Sequence, residues 1–237
     1  MKAIILNSGI GKRLGPLTKD KPKCLLEISE DETILSRQID ILSNCGVTDY
    51  VITTGPFAGL IEEYLIDKYS DFSFTFVNNP KYADTNYIYS LYLSKKYIID
   101  DDIILLHGDL VFNKEICNRF FLQSEQNTVI VSTKLPLPEK DFKGRIKDGF
   151  IREISVSIFG DDCVFLLPLY KFSESNMKIW FAEIENFVQR GNTNVYAEDA
   201  FNNISSKLEL TPIYMDDEIC MEVDTLEDLK IARKMLR

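Results

Sequence analysis

Ala3-Ile4-Ile5-Leu6 forms an uninterrupted apolar run near the start of the chain and gives way at once to the small, mostly polar residues Asn7-Ser8-Gly9-Ile10-Gly11. A run of that length without polar alternation predicts a strand buried on both faces, as in a parallel sheet. From Thr33 to Cys45 the pattern changes to helical spacing, with Ile34, Leu35, Ile39 and Leu42 turned inward and Gly46 as the stop. Tyr50 to Thr53 predicts the next strand. Phe57, Leu60, Ile61, Tyr64 and Leu65 repeat at helical intervals, and Phe74-Thr75-Phe76-Val77 returns to a strand. This β-α-β-α-β alternation predicts an α/β fold.

Asp84 is placed to cap a helix running to about Lys96, and Ile103-Ile104-Leu105-Leu106 is another fully apolar strand, ending in His107-Gly108-Asp109. The carboxyl ends of such strands are where open parallel sheets bind ligands. Thr128 to Thr133 predicts one more strand. The pattern then shifts. Lys143 to Ser155 reads as a hairpin around Lys147-Asp148-Gly149, Ser173 to Gln189 as a helix, and Thr211 to Tyr214 and Ile219 to Val223 as short strands. Thr225 with Asp228 makes a capping-box-like start for a last helix through Leu236. No repeat, low-complexity tract or linker interrupts the chain, which predicts one domain over residues 1–237.

At 237 residues the chain is long enough to bury a substantial core, and 45% hydrophobic with 27% charged residues is ordinary for a soluble globular protein. No apolar run approaches a membrane span, and the short N-terminal run does not read as a signal peptide. Five scattered cysteines without a C-x-x-C pair, beside a single histidine, argue against zinc and for reduced thiols in a cytoplasm. A formal net charge of -10 argues against a nucleic-acid partner, whose phosphate backbone needs an extended basic face. Between Lys12 and Lys23 the balance reverses: Lys12, Arg13, Lys19, Lys21 and Lys23 oppose one acid, Asp20. That segment follows a turn whose successive amides form a concave site for phosphate oxygens. A small anion is the partner this cluster suits, with Lys19 and Lys21 reading as surface lysines.

Two well-known phosphate loops do not fit. In Gly9-Ile10-Gly11-Lys12-Arg13-Leu14-Gly15 the third glycine falls one residue late for the dinucleotide fingerprint, and Pro16 interrupts the helix that should follow. Gly11-Lys12-Arg13 lacks the hydroxyl residue of a Walker-type loop. The longer form L-x-x-G-x-G-x-R-L-x-P-L-T-x-x-x-P-K-x-L-L-x-I, from Leu6 to Ile28, resembles the N-terminal signature of nucleotidyltransferases that join a nucleoside triphosphate to a phosphorylated sugar, alcohol or amino-alcohol. Asn79-Pro80-Lys81-Tyr82-Ala83-Asp84-Thr85-Asn86-Tyr87-Ile88-Tyr89-Ser90-Leu91 and Glu222-Val223-Asp224-Thr225-Leu226-Glu227-Asp228-Leu229 are similar to the bacterial CTP:phosphocholine cytidylyltransferase branch. The resemblance implies a Rossmann-like, mixed but mostly parallel sheet flanked by helices, the GT-A-like nucleotidyltransferase fold. Residues 1–135 would form the nucleotide-binding half, and 136–237 the second-substrate half that completes the metal site.

The implied reaction is attack of a phosphate oxygen on the α-phosphorus of the triphosphate with loss of pyrophosphate, which needs positioning and cationic stabilisation rather than a nucleophilic side chain. By position in the motif, the resemblance assigns catalytic cations to Arg13 and Lys23, with Lys12 assisting on the triphosphate. The planar fork of Arg13 suits phosphate oxygens, and Lys23 supplies a compact charge near the α-phosphate. Asp109 and Asp224 are the implied magnesium ligands, since magnesium takes one or two carboxylates plus substrate phosphates and water; Glu222 is the reserve. Leu6, Asn7, Ser8, Gly9 and Gly11 would lie along the nucleotide, with Gly55, Asn86, Tyr87 and Gly108 closing its pocket. Asn7-Ser8 departs from the family's commoner Ala-Ala.

A choline headgroup wants aromatic faces near an acid. Tyr196 with Glu198 and Asp199 would provide them, helped by Tyr82, Tyr89 or Trp180. A carboxylated substrate would need a cation instead, from Lys143, Arg145 or Arg152 at the hairpin. The leading expectation is a cytoplasmic, magnesium-dependent cytidylyltransferase acting on CTP and a small phosphorylated amine or alcohol such as phosphocholine, for decoration of a cell-surface glycan or capsule. Phosphoglutamine or 2-aminoethylphosphonate are alternative second substrates. A sugar-1-phosphate nucleotidyltransferase using UTP or dTTP is a further alternative, disfavoured by the lack of a C-terminal extension. An inactive nucleotide-sensing subunit is the non-enzymatic one. No membrane partner is expected, and a homodimer stays open.

Overall fold

The computed structural model describes residues 1–121, 125–216 and 218–236, with the side chains of residues 117 and 118 outside that description. The first half alternates β1 (Lys2–Asn7), α1 (Ile34–Asn44), β2 (Asp49–Thr54), α2 (Ala58–Lys68), β3 (Ser73–Asn78), α3 (Tyr87–Ile98) and β4 (Ile103–His107). It continues through β5 (Leu110–Phe112), α4 (Glu115–Phe121) and β6 (Thr128–Ser132). The remainder comprises β7 (Lys143–Lys147), β8 (Phe150–Ser155), β9 (Cys163–Phe172), α5 (Glu174–Gln189), α6 (Ala197–Ile204), β10 (Thr211–Tyr214), β11 (Cys220–Glu222) and α7 (Leu226–Met235).

The main sheet runs β10-β6-β9-β4-β1-β2-β3, with the β7–β8 hairpin attached to β9. β4, β1, β2 and β3 are parallel neighbours, as are β10 and β6, while β9 runs antiparallel between β4 and β6. Burial explains why β1 carries no polar alternation. Ile4 enters the core on one face with α3, α5 and α6, whereas Ala3 and Ile5 enter the core on the other with α1 and α2. Because α1 and α3 cover opposite faces, the chain leaves β1 toward β2 on one side and reaches β4 on the other. The crevice at the carboxyl ends of β1 and β4 is therefore a topological switch point, where α/β sheets bind ligands.

Most predicted elements form close to where the pattern puts them. Thr33 caps α1 with Ser36, Gly46 follows it at φ 86°, and Thr225 caps α7 with Asp228. Asp148 and Gly149, at φ 54° and 82°, make the two-residue hairpin turn that needs two left-handed residues. Four expectations need correction. α3 starts at Tyr87, capped by Asn86, whose Oδ1 accepts the Tyr87 amide; Asp84 lies in the preceding turn. Leu60 faces outward, 42% exposed. The long central strand β9 has no counterpart in the pattern reading; Pro168, which lacks an N–H, sits where its register with β6 shifts between Val129 and Ile130. Finally, Cys24, Cys163 and Cys220 are free thiols, but Cys45 is disulfide-bonded, against the expectation of reduced cysteines throughout. Among the described residues no helix is long and apolar enough to cross a membrane.

Candidate active site

The loop after β1 is shaped by one glycine. Gly11 is left-handed (φ 71°, ψ 32°), and a Cβ there would lie 3.3 Å from Lys23 Cβ and from Thr18 Cγ2. Thr18 Oγ1 donates to the Gly11 carbonyl at 2.9 Å, closing the turns that carry Lys12 and Arg13. A short 3₁₀ turn then begins at Lys23 and points its ammonium into the crevice.

Two aspartates far apart in sequence meet that ammonium. Lys23 Nζ donates to Asp109 Oδ2 at 2.5 Å and to Asp224 Oδ1 at 2.8 Å. They converge because β5 and β11 form a short antiparallel ladder, with Glu222 opposite Leu110, and the Val223 amide donates to the Asp109 carbonyl at 3.0 Å. Asp228, from the α7 cap, accepts the Asp224 amide and fixes its position. Arg13 reaches the other oxygen of Asp224 at 2.8 Å while keeping 62% of its side chain exposed. Gly108 allows Asp109 to approach β1, since a Cβ there would fall 1.7 Å from Asn7 Oδ1.

A cavity of about 730 Å³ opens over this cluster. Leu6, Asn7, Gly9, Gly11, Lys12, Arg13, Lys23, Asn86, Tyr87, Gly108, Asp109, Tyr196 and Asp224 line it, so most of the residues singled out in the sequence share one space. Ser8 lines an adjoining recess of about 190 Å³ with Asn79, Tyr82 and Ser90, and its hydroxyl accepts from Ser90. Five expected residues do not reach the cavity wall. Gly55 lies beneath the loop, where a Cβ would meet the Ser8 carbonyl at 2.3 Å. Lys143 is fully buried and its ammonium is held by three backbone carbonyls. Arg145 pairs with Glu153 and Asp162. Glu198, 1% exposed, accepts from the Tyr87 and Tyr170 hydroxyls. Asp199 accepts the Tyr196 amide as the cap of α6.

Of the other residues considered for the headgroup, Trp180 is core, donating to the Ala197 carbonyl, and Arg152 binds the Ser205 and Leu208 carbonyls. Tyr89 stacks on Tyr92. The cavity also has walls the sequence reading missed: His107, Asp141, Phe142 and Val156, with Glu222, earlier held in reserve. Only His107 carried a signal, as the one histidine of the chain at the end of an apolar strand. Its ring meets Tyr87 edge-on at 4.7 Å, and Phe142 packs on Tyr196 at 5.0 Å.

The site is strongly coupled electrostatically. Burial pulls the Lys23 ammonium down, but Asp109 and Asp224 outweigh it and hold its pKa above the ordinary lysine value. Burial pushes Asp109 up, and Lys23 more than reverses this, so Asp109 stays ionised below the usual range. Burial raises Glu222 to about 7; its bond to His107 opposes the rise without cancelling it, and repulsion from Asp109 adds to it. Its partner His107, with Nδ1 3.4 Å from Glu222 Oε1, is lowered by burial and raised further by that carboxylate, for a net rise. Asp109 Oδ1 and His107 Nε2 are buried without a protein partner. One ligand atom each from His107, Asp109 and Glu222 lies within 4.8 Å of the others. An orphaned carboxylate oxygen in such a group suits a divalent cation.

Backbone amides, two cations and paired carboxylates at a switch point can hold a polyphosphate and stabilise charge developing on it. A family model described as nucleotidyl transferase matches residues 2–143. The chain belongs to that family. It is 24% identical to a CTP:phosphoglutamine cytidylyltransferase of Campylobacter jejuni, over 98% of both chains. It is 36% identical to a choline-phosphate cytidylyltransferase of Streptococcus pneumoniae over 52% of this chain and 58% of that one. Among solved structures, the CTP:phosphocholine cytidylyltransferase of Streptococcus pneumoniae superposes with a TM-score of 0.81 at 22% identity, covering 100% of this chain and 99% of that chain. A likeness at that identity carries the fold, and the fold is that of the nucleotidyltransferases. This nucleotidyltransferase is therefore an enzyme whose crevice is built from residues in both halves of its chain.

Proposed function

We propose that the enzyme is a magnesium-dependent cytidylyltransferase that transfers CMP from CTP to a small phosphorylated amine such as phosphocholine. A phosphate oxygen of the amine forms a bond to the α-phosphorus, the bond from that phosphorus to the αβ-bridging oxygen breaks, and pyrophosphate leaves. Arg13 and Lys23 would stabilise the charge on the α-phosphoryl and pyrophosphate oxygens, with Gly9, Gly11 and Lys12 cradling the triphosphate. Ser8, Asn86 and Tyr87 would border the base and ribose. Asp109 and Asp224 would hold the metal, which when bound neutralises triphosphate oxygens and orients them. In this reading residues 1–135 serve the nucleotide, while 136–237 serve the acceptor and contribute Asp224.

The observation that carries the choice of acceptor is the aromatic and acidic composition of part of the cavity wall. Phe142 and Tyr196 lie with ring centroids 5.0 Å apart, and Asp141 and Glu222 line the same cavity. Aromatic faces backed by carboxylates suit a quaternary or primary ammonium, which is held by cation–π and Coulomb attraction. The similarity to cytidylyltransferases supports CTP as donor. A phosphorylated amino acid is the second reading, favoured by the end-to-end similarity to the phosphoglutamine enzyme and by Lys140 on the cavity wall, a cation suited to a carboxylate.

The test is a pyrophosphate-release assay that crosses four nucleoside triphosphates with phosphocholine, phosphoethanolamine, 2-aminoethylphosphonate, phosphoglutamine and sugar 1-phosphates. Release should be largest with CTP and a phosphorylated amine. Preference for UTP or dTTP with a sugar 1-phosphate would move the enzyme to the other branch, and no release with any pair would favour a nucleotide sensor.

A further inference from the structure

Lys143 opens β7 in full burial, where desolvation lowers its pKa below the ordinary lysine value and Asp141 opposes the fall. Its ammonium donates to the carbonyls of Pro138 and Val156, each at 2.6 Å, and of Asp141 at 3.2 Å. Three N–H donors thus meet three acceptors, and the Phe159 ring covers the group at 4.3 Å. A buried cation is expensive to desolvate, so an apolar residue would fill this place at less cost unless the ammonium does something packing cannot. What it does is extend the junction past the end of the β7–β8 ladder, whose last pair is Lys143 with Ser155, by tying the segment before β7 to the residue after β8. Pro138 and Asp141 belong to the connection between β6 and β7, and Val156 follows β8. Both segments face the cavity, the first through Asp141 and Phe142, the second through Val156.

We infer that Lys143 is a positioning residue for the second substrate: a buried ammonium clamp that sets the wall carrying Asp141 and Phe142 against Tyr196. The inference rests on the reading of that wall as the acceptor side. The nucleotide side is built on the β1 loop, β4 and α3, and among the described residues the hydrogen bonds of the Lys143 ammonium go to none of them. Loosening the clamp therefore displaces one substrate's contacts and leaves the other's in place, and a displacement near 1 Å at a reacting group lowers turnover by about a hundredfold.

The test uses Lys143→Met, of similar length but without donors, and Lys143→Gln, which keeps an amide donor. In the pyrophosphate-release assay KM for the phosphorylated amine should rise about tenfold or more in Lys143→Met, with KM for CTP within about twofold and a smaller change in Lys143→Gln. A role in folding alone would lower the yield of active protein and leave both KM values unmoved. Equal shifts in both KM values, no shift in either, or failure of both variants to fold would overturn the clamp. Amide hydrogen exchange gives a second readout independent of turnover: residues 139–142 should exchange faster in the variants than in the ligand-free wild type, and equal rates would overturn it. If the wild type turns over no pair, the cytidylyltransferase reading fails on its own and the exchange rates alone decide whether the clamp exists.

Discussion

Replacing Lys23 by methionine removes the cation that, among the described residues, touches both Asp109 and Asp224, at 2.5 and 2.8 Å, while keeping the bulk of the side chain. The three side chains are 17%, 18% and 14% exposed, so the pair left behind is largely desolvated and of like charge. Removing one partner of a buried ion pair costs about 3–5 kcal/mol. The residual exposure and Arg13, which remains on Asp224, place this case at the lower end, about 3 kcal/mol. For a chain of this length that corresponds to a Tm lower by about 6–12 °C. A divalent cation occupying the carboxylates at a concentration about a hundredfold above its Kd returns about 2.7 kcal/mol, close to the whole loss.

Thermal unfolding of Lys23→Met should therefore respond to millimolar magnesium by nearly the full deficit, whereas the wild type, already neutralised by its lysine, should respond less. A variant Tm equal to that of the wild type, or one indifferent to magnesium, would refute the view that Lys23 and a metal address the same carboxylates. The pH signature follows from the direction of each shift. Lys23 lies above its ordinary value, so its contribution is complete below about pH 10.4 and is lost as pH rises through the folded-state pKa. Asp109 lies below its ordinary value, so its contribution is present above about pH 3.9 and is lost as pH falls through the folded-state pKa.

Arg13→Ala, at a largely exposed position, should lower pyrophosphate release by about a hundredfold or more with Tm nearly unchanged; an unaltered rate would remove Arg13 from the chemistry. Glu222, raised to about 7, keeps a proton that the unfolded chain releases near pH 4.3, so its contribution to stability falls as pH rises through that window. Turnover of a phosphorylated amine should rise with pH through about 7 as Glu222 ionises, and Glu222→Gln should flatten that limb; a limb surviving in the variant would assign it elsewhere. Tyr196→Ala should weaken the amine by about 1–2 kcal/mol, a KM increase of about 5–30-fold without change for CTP, and equal effects on both substrates would contradict an aromatic cage. Gly108→Ala would place a Cβ 1.7 Å from Asn7 Oδ1, and should cost about 1–3 kcal/mol in chemical denaturation; a neutral effect would show that the β1–β4 contact can yield.

The parts of this protein legible in its sequence are those decided by local rules. β1, β4 and β6 are apolar without alternation because the sheet is covered on both faces, and α1 and α7 announce themselves through Thr33 and Thr225. The loop from Gly9 to Lys23 is legible for the same reason, since its glycine, prolines and cations act within one segment. β9 defies pattern reading because Pro168 sits within it and is accommodated only by an offset against β6. The meeting of Asp109 and Asp224 depends on β5 and β11, strands of three residues whose pairing no local signal declares. Resemblance suggested that meeting; periodicity would not have. Lys143 and Glu198 show the opposite limit: both are charged residues whose sequence context reads as surface or ligand-facing, and both are buried because distant backbone carbonyls and tyrosine hydroxyls satisfy them.

On the proposed reading, the apolar scaffold beneath the site would let one fold accommodate different acceptors. Leu14 and Leu26 in the loop, Val111 in β5, Val223 after β11 and Leu229 in α7 pack into a small core of their own, apart from the two that flank the main sheet. Four charged residues of the cavity are close in sequence to members of it: Arg13 to Leu14, Lys23 to Leu26, Asp109 to Val111 and Asp224 to Val223. Phe142 and Tyr196 belong to other parts of the chain, near β7 and the start of α6. Interdigitated cores resist small shifts, so the backbones that carry these four charged groups are held together. The wall of Phe142 and Tyr196 hangs on a hairpin, a helix cap and one buried lysine. On the proposed reading, substitutions there would change what is accepted without disturbing the groups that act on the triphosphate. That division is the physical reason a likeness in this fold identifies the transfer reaction more readily than the molecule that receives the nucleotide.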